Sequence, residues 1–379
     1  MGYLLNEDQQ AIVSSVKAFM EKEVAPVCAE CDRSGELPMA AYDKALEMGL
    51  HCMEIPEEFG GGGIDYMTVA AACEEMGKVD AGFATTMGAT GLAIKPVLLA
   101  GTATQKQMYS DILTQKKFAA FCLTEPMAGS DAGACTTTAI RDGDEYIING
   151  SKCFITNGGI ADVYVVFANV DRSKGLKGLT AFIVERSRPG VSTGKEEDKF
   201  GIRLSNTCDV IFEDVRVPAA NRLGEEGEGF KIAMRTLDLS RPFIGAIAVG
   251  ISQRALDEAV SYSKTRVTFG KPIAKQQALQ FMMADMDMQT EAARQTVIYC
   301  INRIMMHLPY SREAAICKCF AGDTAVKSAL DAIQILGGYG YSREYPVEKL
   351  LRDAKIFQIF EGTNQVQRMV IAGAMAAGK

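Results

Sequence analysis

Glu361 closes the apolar run KIFQIF and is followed at once by Gly362 in the stretch QIFEGTNQVQR. A lone carboxylate in such a place has two readings. It is a solvated glutamate opening the next helix, or a carboxylate held out of water, where its proton affinity rises toward the range of a general base. From these residues alone the solvated glutamate is the better reading. Other routes to acid–base or nucleophilic chemistry are few. The chain has two histidines, His51 and His307, and neither lies in a nucleophile motif, so any general base is expected to be a carboxylate. Cys28-Ala-Glu-Cys31 has metal or redox spacing, but no second pair at zinc spacing accompanies it, so no metal site is expected. The eleven cysteines are scattered, Cys73, Cys122 and Cys300 among apolar neighbours, and read as reduced thiols.

Four further stretches carry groups that could meet a cofactor. Leu123-Thr-Glu-Pro-Met-Ala-Gly-Ser-Asp131 offers hydroxyls at Thr124 and Ser130 around Pro126 and Gly129, either as donors to a cofactor edge or simply as a turn. Cys153-Phe-Ile-Thr-Asn-Gly158 puts an aromatic and a threonine on a hairpin, and Arg266-Val-Thr-Phe-Gly-Lys-Pro-Ile273 breaks two long helices with a cation and an aromatic. Gln334-Ile-Leu-Gly-Gly-Tyr-Gly-Tyr341 ends a helix in close-spaced glycines, which is otherwise a C-cap. No G-x-G-x-x-G joins a strand to a helix and no phosphate-binding G-x-x-x-x-G-K-[ST] is present. The glycine-rich Gly224–Gly229 segment is acidic and would repel a pyrophosphate, so nicotinamide on a doubly wound sheet is not expected.

The elements that must position these groups read helical, then β, then helical. Apolar residues from Ile12 to Val24 form a helical stripe ended by Pro26, and Asn6 with Gln9 and Thr102 with Gln105 form capping-box pairs. Phe59-Gly-Gly-Gly-Gly-Ile64 is a loop. Short β-branched and aromatic runs follow from Phe118, with Asn149-Gly150 and Asn157-Gly158 as tight-turn signals, giving a small antiparallel β domain. Long helical patterns return near Gly229 and suggest an antiparallel bundle. The expected division is residues 1–117 helical, 118–228 β and 229–379 helical. With 379 residues, 48% apolar and 23% charged, the chain has the profile of a globular protein with a substantial core. Its net charge of −7 with no basic block argues against nucleic acid or an anionic membrane as partner. No apolar run reaches the length of a spanning helix, MGYLLNEDQQ lacks a basic signal region, and Asn6 fits poorly with myristoylation at Gly2. A bacterial cytoplasm is the expected location.

Taken together, LTEPMAGSDAG, NGSKCFITNG, TRVTFGKPIAKQQALQF and AIQILGGYGYSREYPVEKLLRDAKIFQIFEGTNQVQR closely resemble the acyl-CoA dehydrogenase family over essentially the whole chain, most nearly its butyryl-CoA dehydrogenases. The resemblance implies an α+β fold of an N-terminal helical domain, a middle antiparallel β domain and a C-terminal four-helix bundle, in a homotetramer. It implies FAD, with Phe121, Leu123, Thr124, Gly129, Ser130, Phe154, Ile155 and Thr156 along the flavin and Thr156 near N5. Arg266, Thr268, Phe269, Gln276 and Gln277, together with Gln334, Gly337 and Gly338, would reach the FAD of a neighbouring subunit, and Thr363 and Gln365 the adenosine half. Glu361 would take the α-proton of an acyl-CoA thioester, whose carbonyl is polarised by the Glu361 backbone N–H in relatives. Gly362 would leave the substrate room, and Ser130, Asp238 and Arg241 would border it. The other reading of Asp238 and Arg241 is a helix-surface ion pair.

In isovaleryl-type and some long-chain branches the base lies on a helix one residue before an arginine. Here that position holds Ser240, which favours the short- and medium-chain branches. Phe154 replaces a common Trp, Phe360 a common Tyr, and Gly88 a glutamate of the medium-chain mammalian enzyme. Lys95 is unexpected on an apolar stretch; it reads as a snorkelling surface residue or as a sign of a polar acyl group. The function implied is oxidation of a short- or medium-chain acyl-CoA to trans-2-enoyl-CoA, with electrons passed to an electron-transferring flavoprotein. The alternatives are the reverse reaction as an anaerobic enoyl-CoA reductase, an oxygen-using oxidase, or a non-catalytic binding or assembly subunit.

Overall fold

The computed structural model describes residues 3–378, so Gly2 and the myristoylation argument lie outside it. The N-terminal part is helical: α1 (Glu7–Phe19), α2 (Cys28–Ser34), α3 (Met39–Glu47), α4 (Tyr66–Val79), α5 (Ala81–Ala100) and α6 (Ala103–Leu113). Both capping boxes form. Gln9 N donates to Asn6 Oδ1 at 2.9 Å and Asn6 N to Gln9 Oε1 at 2.9 Å; Thr102 and Gln105 exchange the same pair of bonds at 2.8 and 3.2 Å. The stripe continues past α1 as one π turn, Met20–Val24, before Pro26. Contrary to the sequence expectation, α5 has the length and apolar composition to cross a membrane; it is mostly buried inside the protein instead, packed on the sheet and a C-terminal helix.

The middle part holds β1 (Ala119–Cys122), β2 (Thr138–Asp142), β3 (Glu145–Thr156), β4 (Val163–Asn169), β5 (Leu179–Glu185), β6 (Val191–Glu196), β7 (Thr207–Pro218) and β8 (Arg222–Leu223). Their order is β6-β7-β3-β2-β4-β5-β8, largely antiparallel, with β1 added parallel to β4. Asn149-Gly150 is not a turn. It lies within β3 at a bulge, where Asn149 Nδ2 donates to Asp214 Oδ1 at 3.0 Å, and a side chain at Gly150 would collide with Thr137, just before β2. The β2–β3 hairpin turns at Gly143-Asp144 instead. Asn157 does end β3 in a left-handed turn, and its side-chain amide donates to Thr86 O at 2.9 Å, tying the sheet to α5.

The C-terminal part comprises α7 (Gly229–Thr265), the two-residue strands β9 (Val267–Thr268) and β10 (Lys271–Pro272), α8 (Gln277–Met305), α9 (Ser311–Leu336), α10 (Val347–Lys355) and α11 (Asn364–Ala376). Helix α7 is the spine, packing on α4, α5, α8 and α9. It meets α4 backbone to backbone: a Cβ on Gly77 would lie 2.5 Å from Ile247 O, and one on Gly250 would lie 2.3 Å from Glu74 O. Buried ions tie the parts together. Arg294 of α8 pairs with Glu74 of α4 at 2.8 Å, and Asp353 of α10 accepts from Ile202 N at 2.6 Å.

Candidate active site

The Leu123–Asp131 turn faces one way because its acid faces the other. Glu125 points inward, where Lys152 Nζ donates to it at 2.8 Å, Thr137 N at 2.9 Å, Thr136 N at 2.6 Å, and the Cys135 thiol at 2.9 Å. Both Glu125 and Lys152 are buried. Burial opposes ionisation of Glu125, but Lys152 and the hydrogen bonds from Cys135 and Thr136 hold its carboxyl far below the usual range. Lys152 also donates to Leu123 O at 3.1 Å, and Cys153 N to Thr124 O at 2.9 Å, so the turn is pinned from behind and Met127, Gly129 and Ser130 are left outward.

This turn and the end of β3 form one wall of a cavity of about 390 Å³. Phe121, Leu123, Thr124, Gly129, Ser130, Phe154, Ile155 and Thr156 all line it; Glu361, Gly362 and Arg241 close the opposite side. The hydroxyls of Thr124, Ser130 and Thr156 have no bond to other protein groups among the described residues, and a Cβ on Gly129 would meet nothing within 4 Å. An apolar wall with free donors and an open glycine fits the tricyclic end of a flavin.

Glu361 follows a short helical turn, Ile356–Gln358, and has φ +58°, with Gly362 at +87°. A glutamate in the left-handed region costs on the order of 1 kcal/mol and persists only where its surroundings hold it. Here they do so through the carbonyls. Arg241 Nε donates to Glu361 O at 3.2 Å and Gln367 Nε2 to Gly362 O at 3.0 Å; Lys318 Nζ donates to Gly362 O at 2.8 Å and Asn364 Oδ1 at 2.9 Å. The Glu361 side chain receives one bond, from Ser240 Oγ to Oε1 at 3.2 Å, while Oε2 is shielded from water and unpartnered. Loss of hydration raises its pKa above the ordinary glutamate value, and Arg241, Ser240, Lys318 and Lys95 offset this only in part. Desolvation in turn lowers Lys318 to about 8, against the pull of Glu361. Ser240 thus occupies a position from which a side chain reaches the same place as Glu361.

The remaining sites divide. Arg241 is buried, not on the surface, and pairs with Asp238, which lies behind it away from the cavity lining. Arg266, Thr268, Phe269, Gln276 and Gln277 sit at the α7–α8 connection. Arg266 lies 5.8 Å from the Tyr339 ring, near the exposed Gln334, Gly337 and Gly338. None of these lines the cavity, and Phe269 is 95% exposed with φ +51°. Thr363 caps α11 by accepting from Val366 N, and Gln365 is exposed on its first turn. Lys95 does not snorkel: it is 2% exposed and donates to both oxygens of Glu54, at 2.8 and 2.6 Å. Lys152, Lys318 and Gln367 were not anticipated; the signal available was a polar residue at a buried position of an apolar pattern.

Three family signatures match the chain in order: Acyl-CoA dehydrogenase, N-terminal domain, at residues 6–116; middle domain, at 120–215; and C-terminal domain, at 227–376. A solved butyryl-CoA dehydrogenase from Megasphaera elsdenii is 46% identical, covering 99% of this chain and 100% of that one, with a TM-score of 0.96. A chain in the solved structure described as the electron transferring flavoprotein of Acidaminococcus fermentans is 49% identical, covering 99% of each, with a TM-score of 0.96. An acryloyl-CoA reductase (NADH) of Anaerotignum propionicum is 45% identical over 98% of this chain and 95% of its own length.

Proposed function

The chain belongs to the acyl-CoA dehydrogenase family and is an FAD-dependent oxidoreductase; on that premise we propose that it oxidises a short-chain acyl-CoA to the trans-2-enoyl-CoA, with Glu361 removing the α-proton. Bound FAD supplies the acceptor for the hydride that leaves the β-carbon. Thr124, Ser130 and Thr156 would hold the flavin edge, and Phe121 and Phe154 its ring. Glu361 Oε2 has no bond to break before it takes a proton, and its raised pKa makes it a stronger base than a solvated glutamate. Arg241, Gln367 and Lys318 fix the carboxylate's aim through the loop carbonyls. The Glu361 N–H makes no backbone hydrogen bond among the described residues and is available to a thioester oxygen.

The observation that carries this reading is the unpartnered Oε2 of Glu361 at the cavity that the Leu123–Asp131 turn also lines. Anaerobic titration of the purified flavoprotein with butyryl-CoA, followed by flavin absorbance, tests it. Bleaching in the wild type and none in a still-yellow Glu361→Gln variant is the expected result; equal bleaching in both sinks it. The residues that take the α-proton can return it, and the similarity to an acryloyl-CoA reductase favours reduction of a short enoyl-CoA as the second reading. Electron transfer to an electron-transferring flavoprotein is part of the proposal, supported by the likeness to the Acidaminococcus chain. So is a homotetramer, in which the exposed Phe269 and Arg266 complete a neighbour's cofactor site. A cytoplasmic location agrees with eleven free cysteines.

A further inference from the structure

Behind Glu361 lies a second, smaller cavity of about 30 Å³, walled by Gly88 and Ile244, which also line the first, and reached past Ser240. Its walls are mostly apolar, as a hydrocarbon tail requires, yet its far end holds a buried ion pair. Glu54 and Lys95 side chains are 6% and 3% exposed. All three Lys95 protons are used, two on Glu54 and one on Gly91 O at 3.1 Å, and the ammonium lies 4.7 Å from the Phe243 ring centroid. Among the described residues Glu54 receives nothing else, so two of its roughly four acceptor positions are open.

A second polar group in the same wall is in the same state. His51 is 2% exposed and faces Leu113 O through Nε2 at 2.9 Å. Only a protonated Nε2 can bond a carbonyl, and burial keeps the ring neutral, so Nδ1 is an acceptor; it has no partner among the described residues. The Ser240 hydroxyl is spent on Glu361. Apart from the weak Cys73 thiol, the side chains of this cavity offer acceptors and no free donor. A carboxylate at the tail end would meet a saturated ammonium and a facing carboxylate. An alkyl end would seal open acceptors away from any donor, which is costly. Gly91, beside the pair, is one helical turn beyond Gly88, about 5 Å along α5, so the group that meets Glu54 belongs to a short acyl chain.

We propose that this cavity takes the far end of the acyl chain and that Glu54, held by Lys95, selects short acyl thioesters bearing a terminal hydroxyl over alkyl thioesters of the same shape. The inference rests on the acyl-CoA reading of the larger cavity. Its test compares 4-hydroxybutanoyl-CoA with pentanoyl-CoA, which differ by OH for CH₃. Binding to the Glu361→Gln flavoprotein by calorimetry, beside kcat/KM in the wild type, is expected to favour the hydroxy-acyl thioester by about tenfold or more. In Glu54→Leu/Lys95→Met, which removes both charges and strands neither, the order is expected to reverse. Equal or weaker binding of the hydroxy-acyl thioester to the protein with the pair intact overturns the proposal, whether or not the double variant folds. Hydroxyl preference in binding without flavin bleaching by any acyl-CoA supports it and overturns the role of Glu361. Bleaching by butyryl-CoA without hydroxyl preference does the opposite.

Discussion

Glu125 and Glu361 are the same residue type, one buried behind the turn that walls the cavity and the other lining it, and their surroundings drive them apart. Glu125 is enclosed by donors, a lysine, two backbone N–H groups, a hydroxyl and a thiol, and is held ionised. Glu361 receives a single serine bond and keeps one oxygen idle out of water. The first carboxylate spends its hydrogen-bonding capacity on shaping a turn; the second withholds it for substrate. Burial alone makes neither a base nor an anchor: the count of donors decides.

Substitution breaks that contrast most sharply at Glu361. Glu361→Gln is expected to lower turnover by about 10³-fold or more while the protein stays folded and yellow, read by single-turnover bleaching and a thermal melt. Glu125→Gln should do the reverse, stranding Lys152 and costing about 3–5 kcal/mol of stability, measured by denaturant unfolding. The pH dependence of unfolding sharpens the comparison. Glu125 has a depressed pKa, so its stabilisation is present above the ordinary glutamate value near ~4.3 and drains as pH falls below it. The raised pKa of Glu361 has the opposite sign: its contribution is present below that value and lost as pH rises through the folded pKa. Melts across pH should therefore lose part of their acid slope in Glu125→Gln and part of their loss toward neutral pH in Glu361→Gln.

Smaller effects surround the base. Lys318→Met removes a cation that restrains the Glu361 pKa, so the acid limb of kcat/KM should move to higher pH, with activity on that limb down about tenfold; an unmoved limb would leave Lys318 a purely structural role. Ser240→Ala deletes one bond to Oε1, and its effect on kcat is expected to stay within about threefold.

Much of this was legible in residues. The capping pairs at Asn6 and Thr102 are local, and local rules found them. Part of the cavity's β wall was legible because Thr124, Gly129 and Ser130 lie in one continuous turn, while Thr156 joins them from the end of β3. What escaped is what only tertiary contact creates. Asn149-Gly150 has turn chemistry, but its glycine serves a bulge where Thr137 leaves no space for a side chain. Lys95 carries a charge on an apolar helix, and its partner Glu54 is forty-one positions away, so a residue that sequence alone sends to the surface is buried. Lys318 and Gln367 act on backbone carbonyls of a loop, a role that no spacing rule marks.

The glycine crossing of α4 and α7 gives the acyl end of the cavity a mechanical character. Gly77 and Gly250 bring the two backbones into contact, and Ile247, which touches that crossing, also forms part of the small cavity's wall. The helices are clamped like the jaws of a fixed gauge, with no side-chain cushion to compress. A longer acyl chain cannot make room by spreading α4 from α7, so the gauge is reset only by exchanging the side chains set into it.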